Sequence, residues 1–106
     1  MSNREYLGEF EQIVLLAVMR LGADAYGVTI RREIEERTAR SVTLGSIYPT
    51  LHRLEAKGLV TSFTGEPTAS RGGRSRRHFR LEREGLAALK RSRDLLAALW
   101  AGYETK

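Results

Sequence analysis

The sequence predicts a mainly α-helical domain with a small β-hairpin, on the basis of three patterns in its 106 residues. Apolar residues recur with the 3.6-residue period of a helix in the regions 8–21, 24–38, 45–57 and 82–103. Between the third and fourth of these regions the period changes to two, which is typical of strands. Gly22 and Gly58 follow the first and third regions, where a helix commonly ends. Because a chain of this length buries only a modest core, we expect one domain that gains stability from oligomerisation.

Composition excludes several classes of protein. The chain has no cysteine, which excludes disulfides and thiolate zinc sites, and its two histidines are too few for a histidine metal cage. It has no run of about 18 apolar residues and no secretory signal, so we expect a soluble cytoplasmic protein without a membrane partner. Neither a Gly-x-Ser-x-Gly motif nor a phosphate loop is present, so an enzyme, a metal or a cofactor is not expected.

The net charge of +5 is concentrated in one part of the chain. Residues 71–93 contain nine basic side chains and only two acidic ones, Glu82 and Glu84. A local excess of this kind indicates a polyanionic partner more strongly than the total charge does.

The first two helices have structural roles. The run IVLLAVM at residues 13–19 predicts a core helix buried on most sides, with Glu9 and Glu11 at its positive end. The second helix is predicted to begin at Asp24 or Ala25 and to reach about Thr38, and its mixed charges indicate a solvated face. A short turn then leads to the third helix, which is the order of a helix-turn-helix.

The third helix, in the stretch TLGSIYPTLHRLEAKGLV at residues 43–60, is the segment that we expect to meet a partner. Ile47, Leu51 and Leu54 share one narrow arc and predict a buried stripe. The opposite arc contains ring-bearing, small or positively charged residues, namely Ser46, Tyr48, Pro49, His52, Arg53 and Ala56.

Two starts of this helix compete because Pro49 lacks a backbone donor. Thr43 as the N-cap would place Pro49 about two turns inside the helix, whereas Ser46 would place it in the first turn. We favour a start near Gly45 or Ser46.

Two strands are predicted after Gly58, over residues 59–64 and 78–81, and the twelve-residue stretch GEPTASRGGRSR at residues 65–76 lies between them. Loops of this length are commonly functional or disordered. This one combines Gly72 and Gly73 with guanidinium groups suited to phosphate, which belong to Arg71, Arg74, Arg76 and Arg77. The alternative is a solvated loop without a partner.

The fourth helix, from Glu82 to about Tyr103, carries more apolar surface than one small domain covers. Its heptad-like seam consists of Leu86, Leu89, Leu96, Trp100 and Tyr103, and Leu95 and Leu99 add a second row. Pairing with a second copy, including the Tyr6, Leu7 and Phe10 of that copy, would cover this surface.

Together these segments resemble the PadR family of bacterial transcriptional regulators in its short form with one C-terminal helix. The resemblance rests on LGEFEQIVLLAVMRLG, DAYG, SIYPTLHRLEAKGLV, EPTASRGGRSRRHFRL and EREGLAAL, and it covers nearly the whole chain. It implies a winged helix-turn-helix DNA-binding domain at residues 1–81 and a dimerisation helix at 82–106. It also implies a homodimer that represses transcription by occupying operator DNA. The last turn, LWAGYETK, is the least similar to the family.

Three hypotheses follow. In the first, Thr43, Ser46, Tyr48, Pro49 and His52 approach base edges, Arg53 meets phosphate, and the loop arginines hold the backbone or a minor groove. In the second, two copies enclose a small aromatic or phenolic effector beside Trp100, whose alternative role is dimer packing. In the third, the same fold binds RNA or docks a protein without operator specificity.

Overall fold

The chain folds as three helices, a hairpin and a long final helix in the computed structural model, which describes residues 6–65 and 76–103. Helix α1 (Glu9–Leu21) is followed by a 3₁₀ turn (Gly22–Asp24), α2 (Gly27–Thr38) and α3 (Leu44–Ala56). Strands β1 (Val60–Thr64) and β2 (Arg77–Leu81) precede α4 (Arg83–Trp100). The predicted fold class, mainly α-helical with a β-hairpin, is confirmed.

One core joins all of these elements except the outer half of α4. Its largest fully buried members are the apolar side chains that each element directs inward, namely Val14, Leu15, Val18, Ile30, Ile47, Leu51, Leu54, Val60 and Phe79. Helix α1 contacts both α2 and α3. Helix α1 is buried on most sides, as predicted, and Leu16 and Met19, each 40% exposed, lie on its open face.

The two strands pair antiparallel, and the register places Val60 opposite Leu81 and Thr64 opposite Arg77. The other edge of β2 is also partly paired, since the Phe79 N–H donates to the Ala25 carbonyl oxygen at 2.9 Å. This pairing explains why α2 begins at Gly27 rather than at the predicted Asp24 or Ala25. Residues held in an extended bridge to a strand are not available to a helix.

Helix α2 starts with a local cap and ends without a glycine. Tyr26 is extended, and its N–H donates to Thr29 Oγ1 at 3.0 Å. Ala39 ends the helix in the left-handed region at φ 60°, a conformation that is uncommon for residues other than glycine. Its N–H donates to the Glu35 carbonyl oxygen at 3.0 Å, which satisfies an otherwise unpaired carbonyl of the last turn.

An ion-pair cluster holds α1 and α2 together at the surface. One oxygen of Glu33, Oε2, accepts from Arg20 Nε and from Arg37 Nε, both at 2.8 Å. These two hydrogen bonds, with Arg20 contributing most, lower the pKa of the Glu33 carboxyl. The cluster therefore favours the charged form of Glu33 in the folded state.

Candidate nucleic-acid interface

Helix α3 separates its residues into a buried face and an exposed face as the spacing predicted. Ile47, Leu51 and Leu54 have no exposed surface. The opposite face is open to solvent and carries Ser46, Pro49, His52, Arg53 and Ala56. The core thus anchors α3 along one side and presents hydroxyl, imidazole and guanidinium groups along the other.

The start of α3 differs from the one that we favoured. Thr43 is the N-cap, and its Oγ1 accepts the Ser46 N–H at 3.1 Å. The prediction of a start near Gly45 or Ser46 is therefore wrong, and Pro49 lies inside the helix. The helix tolerates this proline because the carbonyl that it leaves without a donor belongs to Gly45, an exposed residue that water reaches.

Gly58 ends α3 as predicted. Its φ is 78°, and its N–H donates to the Glu55 carbonyl oxygen at 2.9 Å. The Leu59 N–H reaches back to the Leu54 carbonyl oxygen at the same distance. The chain thereby turns directly from α3 into β1, which brings the hairpin next to the helix.

A depression of about 310 Å³ lies at the N-terminal end of α3. It is lined by Phe10, Arg40, Ser41, Val42, Thr43 and Ser46. Arg40 belongs to this end of the helix, although sequence reasoning did not select it. Its guanidinium lies 5.8 Å from the centre of the Phe10 ring and pairs with Glu9 at 3.2 Å. A basic residue just before an N-cap is the signal that could have identified it.

Tyr48 is half-buried and packs against the core, so its ring is less available than the prediction required. The ring lies over the first residue of α2, and a Cβ atom on Gly27 would overlap its hydroxyl end. Tyr48 thus helps to set the distance between α2 and α3. His52, in contrast, is exposed.

Arg53 lies on the exposed face, and one acidic residue of α1 contacts it. Glu11 Oε2 pairs with Arg53 Nε at 3.5 Å and with Lys57 Nζ at 3.0 Å. Glu11 Oε1 accepts the Gly8 N–H at 3.0 Å, which fixes the carboxylate at the start of α1. Burial raises the pKa of the Glu11 carboxyl, but the hydrogen bonds from Gly8 and Lys57 outweigh it, and the pKa is lowered.

Lys57 was also absent from the predicted site. It follows Arg53 by four residues and Ser46 by eleven, so the three side chains lie in one row along α3. Extending the helical spacing by one turn beyond Arg53 would have found it.

The base of the hairpin carries arginines in defined contacts. Arg76 lies over the Tyr26 ring, 4.8 Å from its centre. Arg77 donates from Nη2 to Ser62 Oγ at 3.0 Å and lies 3.6 Å from Glu55 Oε1. Both arginines were predicted to meet phosphate, and these contacts place them beside α2 and α3. Arg71 and Arg74, the other two arginines of that prediction, lie outside the described residues.

The side chains proposed for dimerisation divide into two groups. Leu7 and Leu89 are buried in the core of the protomer itself, which removes them from any surface that meets a second copy. Phe10 is half-buried and packs against the same core. The others are exposed, most of them along the outer part of α4, and comprise Tyr6, Leu86, Leu96, Leu99, Trp100 and Tyr103.

Residues 6–65 and 76–103 contain neither a grouping of metal ligands nor a membrane-spanning helix. Within these ranges no three His, Cys, Asp or Glu residues are grouped so that they could hold a metal ion. In the same ranges no helix has the length and the hydropathy needed to cross a membrane.

Comparison with known proteins finds transcriptional regulators, both as a family and as an individual relative. The model of the transcriptional regulator PadR-like family matches residues 15–91. The transcriptional regulator Rv3488 of Mycobacterium tuberculosis is 37% identical over 94 residues, which cover 86% of this chain and 83% of that protein.

Solved structures agree with the family match. A PadR family regulator from Eggerthella lenta superposes with a TM-score of 0.69 at 25% identity, covering 89% of this chain and 81% of the other. A PadR family regulator from Clostridium difficile gives a TM-score of 0.69 at 24% identity, covering 85% and 90%. The arrangement of α1, α2, α3 and the hairpin is therefore a winged helix.

Proposed function

This chain belongs to the PadR-like family of transcriptional regulators, and from that premise we propose that it binds operator DNA as a homodimer and represses transcription. The family and the curated relative are regulators and not enzymes. Binding to chromosomal DNA would place the protein in the cytoplasm.

The observation that carries the proposal is the two-sided character of α3. An α-helix with its side chains is about 10–12 Å across, and the major groove is about 12 Å wide, so the 13-residue α3 can lie within it. Ser46 and His52 would then reach base edges, and Pro49 would meet thymine methyl groups. Arg53 would contact phosphate at the groove edge.

Arginines near the N-terminal end of α3 and at the base of the hairpin support this orientation. Arg40 and Thr43 border the depression at its N-terminal end, and Arg76 and Arg77 lie at the base of the hairpin. Cations on both sides of a groove-binding helix would contact the backbones that border the groove, and such contacts set its register.

The proposal is tested by titrating a fluorescent duplex from the region upstream of the protein's own gene, and a scrambled duplex, at several salt concentrations. We expect His52→Ala to weaken binding to the operator by about 5- to 100-fold, the cost of one lost base contact, with little change on the scrambled duplex. Arg53→Ala should weaken binding to both and reduce the salt slope by about 1.

Arg32→Ala is the matched control because it removes the same charge from an exposed position of α2. Equal losses for Arg32→Ala and Arg53→Ala would contradict the proposed orientation of α3. Stronger binding to single-stranded RNA than to duplex DNA, or binding to neither nucleic acid, would instead favour the alternative of an RNA-binding or protein-docking module.

The dimer is proposed from the exposed apolar end of α4. Leu99 is 75% exposed, Trp100 60% and Tyr103 76%, and a contiguous apolar surface of this kind commonly marks a protein interface. Two copies joined through α4 would address half-sites about 10 bp apart or a multiple of this.

Sedimentation tests the dimer. Leu99→Lys should shift the protein to monomer, because a lysine ammonium would have to be buried in the interface. Asp94→Lys places a lysine about 140° around the helix from Leu99. This variant should remain a dimer, because the new side chain points away from the proposed interface. A dimer that survives Leu99→Lys would contradict this role of α4.

A small aromatic or phenolic effector is the second part of the proposal, supported by the exposed Trp100 ring near the end of α4. In a dimer, two such rings could border a flat cavity. Quenching of Trp100 emission by a flat aromatic compound, accompanied by weaker DNA binding, is the expected result. Quenching without a change in DNA binding would leave Trp100 as a packing residue only.

A further inference from the structure

The first turn of α1 places carboxylates against the cations of the helix-turn-helix. Glu9 pairs with Arg40, and Glu11 pairs with Lys57 and Arg53. The two acidic residues differ in their exposure to solvent. The Glu9 side chain is 78% exposed and that of Glu11 is 12% exposed.

This difference in burial decides which carboxylate holds its cations more strongly. Water and salt screen an exposed pair such as Glu9 and Arg40, and such pairs commonly contribute little. Glu11 is shielded from solvent, and the Gly8 N–H holds its other oxygen at 3.0 Å. The carboxylate therefore cannot rotate away from Lys57 and Arg53 without losing the cap of α1.

Lys57 and Arg53 lie in the row of α3 that begins with Ser46. A cation at this edge of a groove-binding helix would normally bind phosphate and release a counterion. Here one carboxylate faces two cations, so their combined charge with Glu11 is +1 rather than +2. An approaching phosphate would also meet the negative charge of Glu11.

We propose that Glu11 is an affinity-limiting residue, which holds Lys57 and restrains Arg53 in the free protein and so competes with DNA phosphate without touching DNA. This inference rests on the proposed function, in which α3 faces the duplex. Lys57 is held more closely than Arg53, at 3.0 Å against 3.5 Å. The main effect of Glu11 is therefore to withhold the charge of Lys57 from phosphate.

Glu11→Gln is the direct test, because glutamine keeps the size of the side chain and an oxygen for the Gly8 N–H while it removes the charge. Binding to the operator duplex and to the scrambled duplex is measured by anisotropy over a range of salt. We expect several-fold tighter binding to both duplexes and a salt slope that is steeper by about 1, since one more cation reaches phosphate.

Glu36→Gln is the matched control. It removes the same unit of charge from α2, where the Glu36 side chain is exposed and has no hydrogen bond or ion pair with the other described residues. It should leave the salt slope unchanged. If Glu11→Gln binds DNA no more tightly than Glu36→Gln, or more weakly than the unsubstituted protein, the proposal is wrong.

Lys57→Gln provides a second test, and its first arm, with Glu11 present, does not require Glu11→Gln to fold. With Glu11 present, this substitution should leave the salt slope unchanged, because Lys57 is engaged with the carboxylate. In the Glu11→Gln background it should reduce the slope by about 1. A reduction of about 1 with Glu11 present would overturn the proposal.

Failure of the proposed function gives a different result. In that case the unsubstituted protein would show no salt-dependent binding to either duplex. A protein that binds duplex DNA normally but is insensitive to Glu11 would refute only the inference about Glu11.

Discussion

Two glycine substitutions should change stability in opposite directions, although both lie in the first turn of a helix. Gly85 is the third residue of α4 and is buried, and Gly45 is the second residue of α3 and is exposed. In an open position, replacing a helical glycine by alanine stabilises a protein by roughly 0.5–1 kcal/mol. The space around each glycine decides whether this gain is realised.

A Cβ atom on Gly85 would overlap the Leu59 carbonyl oxygen and lie 2.7 Å from Leu81 Cδ1. The same Leu59 oxygen accepts the Glu82 N–H at 3.0 Å, so backbone on both sides of the contact is already tied together. Overpacking of this kind costs about 1–3 kcal/mol, and a strained hydrogen bond adds up to about 1 kcal/mol. The gain in helix propensity does not offset these costs, and we expect Gly85→Ala to destabilise the protein by about 1–2 kcal/mol.

Gly45 has room for the same methyl group. The nearest atom to a Cβ there is Thr43 Oγ1 at 3.7 Å, an ordinary van der Waals contact. Gly45→Ala should therefore stabilise the protein by about 0.5–1 kcal/mol. The two variants should differ by about 2 kcal/mol, which corresponds to roughly 10 °C in Tm for a domain of this size.

Urea and thermal unfolding followed by circular dichroism measure the difference, with all proteins at one concentration because a dimer's stability depends on it. A Gly85→Ala variant as stable as the unsubstituted protein would refute the close approach of α4 to the start of β1. A loss of stability in Gly45→Ala would refute the argument that space alone separates the two sites.

Two further predictions concern the N-cap of α3 and the acidic residues with lowered pKa. Thr43→Ala should lower the free energy of unfolding in urea by about 1 kcal/mol, because the Ser46 N–H loses its side-chain acceptor. Thr43→Ser keeps a hydroxyl and should retain most of that stability. Equal losses in the two variants would refute the cap. Folding lowers the pKa of Glu11 and Glu33. The stability that these carboxylates contribute is therefore fully present above the usual glutamate pKa of about 4.3. It is lost as the pH falls through their lower pKa values in the folded protein. The urea midpoint should therefore fall between about pH 5 and 3, and Glu11→Gln and Glu33→Gln should each reduce that fall; a profile unchanged in both variants would contradict the ion-pair geometry.

Periodicity was enough to predict which side of α3 is buried. The spacing of Ile47, Leu51 and Leu54 depends only on the 3.6-residue repeat, and all three are fully buried. The switch to period two likewise predicted both strands, and Gly58 marked the end of α3. These features follow from neighbouring residues, so one sequence is sufficient to find them.

At the start of α3 two local rules competed. A proline in the first turn is favourable, and this preference suggested a start at Gly45 or Ser46. The cap at Thr43 outweighed it, because Thr43 Oγ1 supplies an acceptor for the Ser46 N–H. At α2 the helical pattern was correct, but the bridge from Ala25 to β2 delayed the start by two residues or more.

The sequence analysis assigned every residue of the α4 seam to the surface that meets a second copy, and this was wrong for Leu89. Leu89 shares its period with Leu96 and Trp100, but only the first half of α4 packs against the domain, and Leu89 lies in that half. A repeat reveals which residues share a face, and it does not reveal where along the helix the rest of the chain stops covering that face.

The sequence by itself determined the helices, the hairpin and the family, because these depend on local periodicity and on motifs in a given order. Only the tertiary structure decided that Glu11 faces Lys57 and Arg53, more than forty residues away. It also decided that Tyr48 packs over Gly27. Such contacts depend on how α1, α2 and α3 cross, and no pattern within one helix encodes the distance between two of them.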